Sequence, residues 1–161
     1  MSSLRRARQA RTTRADAVKR STATLSPCAL QLREHDPDRF FCTLLAPADR
    51  REALYALYAF DLELARVHRR VSEAMLGAIR FQWWRETLDG ITAGTPRAHD
   101  IARALASAAD HIELSRLGAV IDARERMFDA GAVTLESMER DAGDGGITQE
   151  ALRILGCDTE A

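Results

Sequence analysis

The sequence predicts an all-α domain of about six to seven helices. Apolar residues recur at spacings of three and four through residues 47–93, which is the period of an α-helix. Residues that favour helix starts and stops bracket these segments. No stretch alternates apolar and polar residues as a half-buried strand would. We therefore expect helices packed on helices, without a sheet.

Length and composition indicate one globular domain. The chain has 161 residues, of which 46% are hydrophobic and 29% are charged. Lys and Arg number 23 against 24 Asp and Glu, so the overall charge does not favour nucleic-acid binding. We expect a tail over residues 1–26, a helical domain over residues 27–156 and a short C-terminal tail over residues 157–161.

The N-terminal tail is basic. Residues 1–20 contain seven bases and one acid, Asp16, with few large apolar groups, so we expect disorder. We expect a cytoplasmic protein. An Arg- and Ser-rich start is also typical of a transit peptide, and the alternative location is then the mitochondrial matrix. Against this, Leu4, Val18 and Leu25 form no apolar helix face. A further alternative is a helical interaction module whose basic tail binds an acidic partner.

The cysteines indicate reduced thiols. Cys28, Cys42 and Cys157 are odd in number and far apart, without the spacing of a zinc site or a disulfide framework. No apolar run approaches the roughly 20 residues that a membrane-spanning helix needs, and no secretory signal is found. We therefore expect a protein without a transmembrane segment.

The central helix is predicted to begin at Pro47 and to end near Arg70. Two adjacent apolar stripes cover much of its circumference, which is typical of a buried helix. Asp61 interrupts one stripe and is therefore a candidate functional residue. The other expected helices run from Pro37 or Asp38 to Leu45, from a cap at Ser72 to about Ala93, from His99 to Ile112, from a cap at Ser115 to about Ala130, after a cap at Thr134, and over Thr148–Leu155.

The sequence contains no clear metal or nucleophile motif. Asp61 and Glu63 are two residues apart on a helix and diverge by about 160° around its axis, so they cannot share a metal. Other acids have a suitable spacing, but arginines lie among them, which favours exposed ion pairs. These acids are Glu86 and Asp89, and Asp122, Glu125 and Asp129.

Arg80 and Arg85 flank the pair Trp83-Trp84. A guanidinium beside an indole can bind phosphate or form a cation–π contact. Alternatively, these are arginines that extend to solvent beside core tryptophans. The sequence pattern identifies no catalytic residue.

Three segments resemble the squalene/phytoene synthase family, the isoprenoid synthases that join two prenyl diphosphates head to head. They are LLAPADRREALYALYAF, VSEAMLGAIRFQWWRETLDGI and LGAVIDARERMF. The resemblance runs from about Asp36 to Gly156. It implies an all-α isoprenoid-synthase fold with a central cavity, of which this chain is a truncated form. In the family, two aspartate-rich motifs hold Mg²⁺ ions that bind the diphosphates, and the apolar cavity shields a carbocation.

The sequence departs from the family at the residues that bind metal and diphosphate. The first aspartate motif, aligned on Tyr58-Ala59-Phe60, falls on Ala65 and Arg69. The family arginine just before this motif falls on Leu62, whereas Tyr58 matches a family pocket tyrosine. The second motif corresponds to a region beyond Gly156. The serine-rich stretch that contacts phosphate is here Asp36-Pro37-Asp38-Arg39.

Within the family, the sequence most resembles a divergent branch that includes the mitochondrial complex I assembly factor. We expect a non-catalytic binding or assembly protein, or a truncated fragment, that binds a protein partner or an apolar ligand. The alternative is a prenyltransferase of terpenoid biosynthesis that condenses two prenyl diphosphates. No cofactor is expected unless this alternative holds, when Mg²⁺ is required. The candidate cavity residues are Tyr58, Asp61, Arg80 and Trp84.

Overall fold

The computed structural model describes residues 25–70, 74–130, 135 and 146–157. Seven helices and no strand lie in these described ranges, which confirms the all-α prediction. They are α1 (Pro27–His35), α2 (Pro37–Thr43), α3 (Arg51–Arg70), α4 (Ala74–Thr92), α5 (Asp100–Ser107), α6 (Leu114–Ala130) and α7 (Gly146–Ile154). Most of the predicted N-terminal tail, the Ser72 cap and nearly all of the helix expected after Thr134 lie outside the described residues.

Helix α3 is the centre of the fold, as its two apolar stripes predicted. All six other helices contact it. Leu57, Phe60 and Leu64 are fully buried on it, and so is nearly every other residue between Ala53 and Leu64. A helix that is buried around most of its circumference needs neighbours on all sides, and the other helices supply them.

Several helix ends differ from the sequence expectation. Residues 47–50 form a turn before α3, in which the Arg50 N–H donates to the Pro47 carbonyl over 3.0 Å. Proline therefore fixes the turn rather than the first helical residue, and α3 begins four residues later. Ser115 lies inside α6, where its hydroxyl bonds to the Glu113 carboxylate. Helix α5 ends at Ser107 instead of Ile112, although Ile112 is buried as predicted.

Two polar side chains begin helices α1 and α2 as caps. The Ser26 hydroxyl accepts from the Ala29 N–H over 3.2 Å, and Pro27 follows as the first residue of α1. The Asp36 carboxylate accepts from the Arg39 N–H over 3.2 Å, and Pro37 follows it in the same way. These caps explain why the chain stops one helix and starts another within two residues.

Helix α7 is anchored to α6 by a buried carboxylate. Glu150 is 1% exposed, and its Oε1 atom accepts from the Glu113 backbone N–H over 2.6 Å. Glu113 directly precedes α6, so this contact satisfies an amide at the helix start and places a negative charge at the positive end of the helix dipole. The link joins residues 37 positions apart in sequence.

Helices α4 and α6 pack closely at Gly77. A Cβ atom added there would lie 2.4 Å from the Phe128 ring, so the absence of a side chain lets the ring approach. Phe128 also contacts Phe81, with the ring centroids 6.0 Å apart. Gly118, on α6, has no atom within 4 Å of the corresponding Cβ position.

The two glycines give a matched stability test. We expect Gly77→Leu to lower the free energy of unfolding by about 1–3 kcal/mol, because the new side chain must displace Phe128. We expect Gly118→Ala to raise it by about 0.5–1 kcal/mol, because alanine restricts the unfolded chain and fits open space. Chemical denaturation followed by circular dichroism measures both. A stabilising Gly77→Leu variant would contradict the packing described here.

Candidate functional site

Asp61 is a buried carboxylate in the middle of α3. Its side chain is 2% exposed, and it lies among the apolar residues of the central helix. Burial of an isolated ionised carboxylate is strongly unfavourable, so such a group requires a cation or hydrogen-bond donors. The structure supplies both from two other helices.

Two arginines bind the Asp61 carboxylate, Arg39 from before it in the sequence and Arg124 from after it. The Nη1 atom of Arg39, on α2, donates to Asp61 Oδ2 over 2.7 Å. On α6, the Nε and Nη2 atoms of Arg124 donate to Asp61 Oδ1 over 3.1 and 2.6 Å. Both carboxylate oxygens are therefore occupied, and one ionic cluster ties α2, α3 and α6 together. We call these three residues the Asp61 cluster.

Arg39 has further partners at the edge of this cluster. Its guanidinium lies over the Tyr58 ring, 5.0 Å from the centroid, and its Nε atom is 3.7 Å from Asp36 Oδ2. Burial alone would lower the pKa of the Arg39 guanidinium, but its hydrogen bond to Asp61 and the nearby negative charges raise it above its ordinary value. Burial also raises the pKa of the Tyr58 phenol, against the opposing charge of Arg39. Tyr58 is therefore a neutral hydrogen-bonding group at neutral pH.

The residues on this side of α3 do not fit a magnesium site. Mg²⁺ prefers carboxylate oxygens, whereas the two positions that the family resemblance assigns to aspartates carry Ala65 and Arg69. Asp61 precedes Ala65 by one helical turn, and its oxygens already accept from two arginines. Within the described ranges, no group of three or more Asp, Glu, His or Cys side chains is placed to hold a metal ion.

A groove lies on the other side of α3, between this helix and α4. Its volume is about 580 Å³, and it is lined by Glu63, Val67, Leu76, Ile79, Arg80, Trp83, Trp84 and His99. The two indoles meet edge to face with centroids 4.9 Å apart. The His99 ring contacts both indoles, at 5.4 Å from each centroid. The groove thus combines an aromatic wall with a cation at its rim.

The structure divides the four candidate cavity residues between these two places. Arg80 and Trp84 line the α3–α4 groove, and Trp84 is buried against Phe60. Tyr58 and Asp61 belong to the Asp61 side of α3. Their roles in ligand binding stay predictions.

Arg85 forms ion pairs at the surface. It bonds to Asp122 over 2.6 Å and also to Glu125, and so joins α4 to α6. The sequence left two interpretations open for Arg80 and Arg85, namely a contact with phosphate or an indole, and an arginine that extends to solvent beside core tryptophans. The cation that lies over an indole is Arg97, 5.2 Å from the Trp83 centroid.

Arg124 corrects a sequence expectation. It is one of the arginines that lie among the acids of α6, for which the spacing favoured exposed ion pairs, but its side chain is only 27% exposed and reaches Asp61. Arg39 was grouped with the acids at the start of α2, and its contact with Asp61 was not foreseen. The signal that could have found both is Asp61 itself, since an acid in a buried apolar stripe requires a cationic partner.

Cys28 is not available as a nucleophile. Its thiol is 2% exposed, and burial raises its pKa to about 12, with smaller contributions from Glu52 and Asp100. A thiol reacts as its thiolate, so Cys28 is inert at neutral pH. Cys42 and Cys157 are exposed.

Removal of the Asp61 carboxylate tests the cluster. We expect Asp61→Ala to lower the free energy of unfolding by about 3–5 kcal/mol, because two partly buried arginines lose their shared anion. As a control, Asp122→Ala removes one partner of Arg85 at the surface and should cost no more than about 1 kcal/mol. Equilibrium unfolding in urea measures both, and equal effects would contradict a special role for Asp61.

Thiol titration tests the burial of Cys28. At pH 8 the native chain should react quickly with Ellman's reagent at Cys42 and Cys157 and slowly at Cys28. Because the folded pKa is raised, Cys28 stays a thiol until the pH approaches about 12. Denaturation restores an ordinary thiol pKa and should release the third equivalent. Rapid reaction of all three thiols in the native chain would contradict the structure.

Comparison with known proteins shows which family the chain belongs to. The model of the squalene/phytoene synthase family matches residues 32–140. The chain is similar to the protein named "NADH dehydrogenase (ubiquinone) complex I, assembly factor 6" of Bos taurus, with 34% identity over 131 residues, which are 80% of this chain and 38% of the relative. The Homo sapiens protein of that name is 36% identical over 104 residues, 63% of this chain and 31% of the relative. The Mus musculus protein is 31% identical over 154 residues, 87% of this chain and 46% of the relative.

The chain spans about a third to a half of the length of these relatives. No solved structure matches it significantly. The family match covers more than half of the chain and includes α2 to α6, which carry the Asp61 cluster and the groove. The relatives carry the name of the divergent branch that the sequence resembles. This chain therefore belongs to the squalene/phytoene synthase family.

Proposed function

We propose that this chain is a non-catalytic member of its family and acts as a binding or assembly protein. The observation that carries the proposal is the chemistry of the α3 face that bears the family's first aspartate motif. Ala65 and Arg69 stand at the motif positions, and the nearby Asp61 is neutralised by two arginines. A diphosphate leaving group needs hard cations held by free carboxylates, and this face offers none.

The names of the relatives support an assembly function. Proteins at 31–36% identity carry the name of an assembly factor of complex I. An assembly factor binds protein surfaces and needs no bond-breaking chemistry, which agrees with side chains that stabilise helices instead of ligating metal. We propose that this chain binds a component of an NADH dehydrogenase complex while that complex is put together. The chain is then located in the compartment in which the NADH dehydrogenase complex is assembled.

No helix in the described ranges has the length and apolar character to cross a membrane. Contact with a membrane-bound complex would therefore run through a surface of the described helices or through other parts of the chain.

Disruption of the gene in its own host tests the assembly function. We expect less fully assembled complex I on native gels and lower NADH:ubiquinone oxidoreductase activity, with both restored by the wild-type gene. A second strain carries Ala65→Ser, which alters the family's motif position without a large change in volume. This variant should restore assembly as well as the wild type does, because the proposed function assigns no metal to that position.

A separate assay tests the absence of synthase chemistry. Purified chain incubated with farnesyl or geranylgeranyl diphosphate and Mg²⁺ should release no diphosphate above background. Release of diphosphate together with a hydrocarbon of twice the chain length would support the prenyltransferase alternative instead. Normal complex I in the disrupted strain would refute the assembly function.

A further inference from the structure

The outer face of α4 is apolar and exposed. Met75, Leu76 and Ile79 are 70%, 47% and 58% exposed, and the partly buried Trp83 continues the row. Met75, Ile79 and Trp83 are four residues apart, so they lie on one side of the helix over about two turns, roughly 12 Å. Single exposed apolar residues are common on protein surfaces, but a contiguous row marks an interaction site. We call Met75, Leu76, Ile79, Arg80 and Trp83 the α4 outer face.

This face cannot turn inward, because the opposite side of α4 is fixed. Gly77 lies two residues from both Met75 and Ile79, on the far side of the helix, and its Cβ position is filled by the Phe128 ring of α6. Phe81, on the same inner side, is fully buried. Rotation of α4 would break both contacts, so the exposed row is a constant feature of this packing.

The α3–α4 groove lies directly beside the exposed row. Leu76, Ile79 and Trp83 belong to both, so the exposed apolar row borders a groove of about 580 Å³.

The charges at this surface are uneven. Arg80 is exposed and forms no ion pair with any described residue. The acid that lines the groove, Glu63, already accepts from Arg66 and Gln31, each over 2.7 Å. Arg97, at the Trp83 edge, is paired with Glu86 over 2.7 Å. Among the described residues, the Arg80 charge therefore has no counter-charge within this apolar surface, which favours a partner with a negative charge.

We infer that the α4 outer face and its groove bind an amphipathic helix of a partner protein. The apolar side of that helix, with residues at spacings of three and four, would pack on Met75, Ile79 and Trp83, and an Asp or Glu beside them would pair with Arg80. This inference rests on the proposed assembly function, for which it supplies the docking surface. A small molecule would fill the groove but leave Met75 exposed, so the length of the row favours a helix.

This surface is distinct from the place where the family carries its metal aspartates. Val67 lines the groove and lies two residues from Ala65, so the two point to nearly opposite sides of α3. Loss of the aspartates therefore leaves the groove unchanged, and the two sides of α3 can be tested independently.

Peptide binding tests the inference. Synthetic 20-residue peptides tiled over the subunits of the host's complex I are presented to the purified full chain, and hits are measured by fluorescence anisotropy. We expect the hits to be amphipathic helices with an acid beside the apolar side. Ile79→Asp should weaken binding by about tenfold or more. Leu30→Asp, at an exposed apolar residue of α1, is the matched control and should bind as the wild type does.

A charge exchange makes the test specific to Arg80. Arg80→Glu should weaken the same peptides, and replacement of the peptide's acid by Lys should restore their binding to Arg80→Glu but not to the wild type. Arg33→Glu, at an exposed position of α1, controls for the change of net charge. If Ile79→Asp loses helical signal in circular dichroism, the charge exchange still decides the question.

Several results would overturn the inference. They are a lack of any binding peptide, binding that Ile79→Asp and Arg80→Glu leave unchanged, and a homodimer in sedimentation that Ile79→Asp dissociates. The host strain keeps the two proposals apart. If Ile79→Asp still supports complex I assembly, the docking surface is wrong and the assembly function stands. If the disrupted strain assembles complex I normally, the assembly function is wrong, whatever the peptides show.

Discussion

The Asp61 cluster is the constraint on which the rest of the structure depends. A carboxylate on the central helix is removed from water, and only the arginines of α2 and α6 make that burial tolerable. The contacts span 22 and 63 residues of sequence, so they form only when three separate helices are correctly placed. A purely apolar core would hold the helices together as well, but it would not select one arrangement so strictly. We regard selection of this helix register as the role of the cluster.

The central helix explains how the family fold can persist without aspartates at the positions of the family's first metal motif. The scaffold needs a buried central helix and neighbours on every side, and α3 provides these through Leu57, Phe60 and Leu64. The family's metal chemistry would need free carboxylates one and two turns after Asp61, where this chain has Ala65 and Arg69. These requirements fall on different residues, so one can be lost while the other is kept. The residues that form the fold and the positions of the metal motif are therefore separable here at the level of single helical turns.

The sequence predicts the elements and the core of this protein better than its polar contacts. The all-α class, the central helix and the burial of Trp84 follow from spacing, because one helix face must be covered whatever covers it. The partners of Asp61 do not follow, since one sequence does not say which distant arginine meets which acid. Arg124 shows this well, because its neighbours on α6 form surface pairs. Helix starts were misplaced at Pro47 and Ser115, where a proline or serine that is typical of a helix start serves a neighbouring turn or lies within the helix.

The Glu150 contact has a consequence for how the chain can change through evolution. Helix α7 is held by its own packing on α3 and α6 and by a carboxylate that completes the start of α6. Its position is therefore set by the surfaces that it touches. Residues on the exposed side of α7 can change without a penalty to the core, provided that Glu150 and the Glu113 amide can still meet. Sequence divergence on that side of the helix is thus a poor measure of structural divergence in the domain.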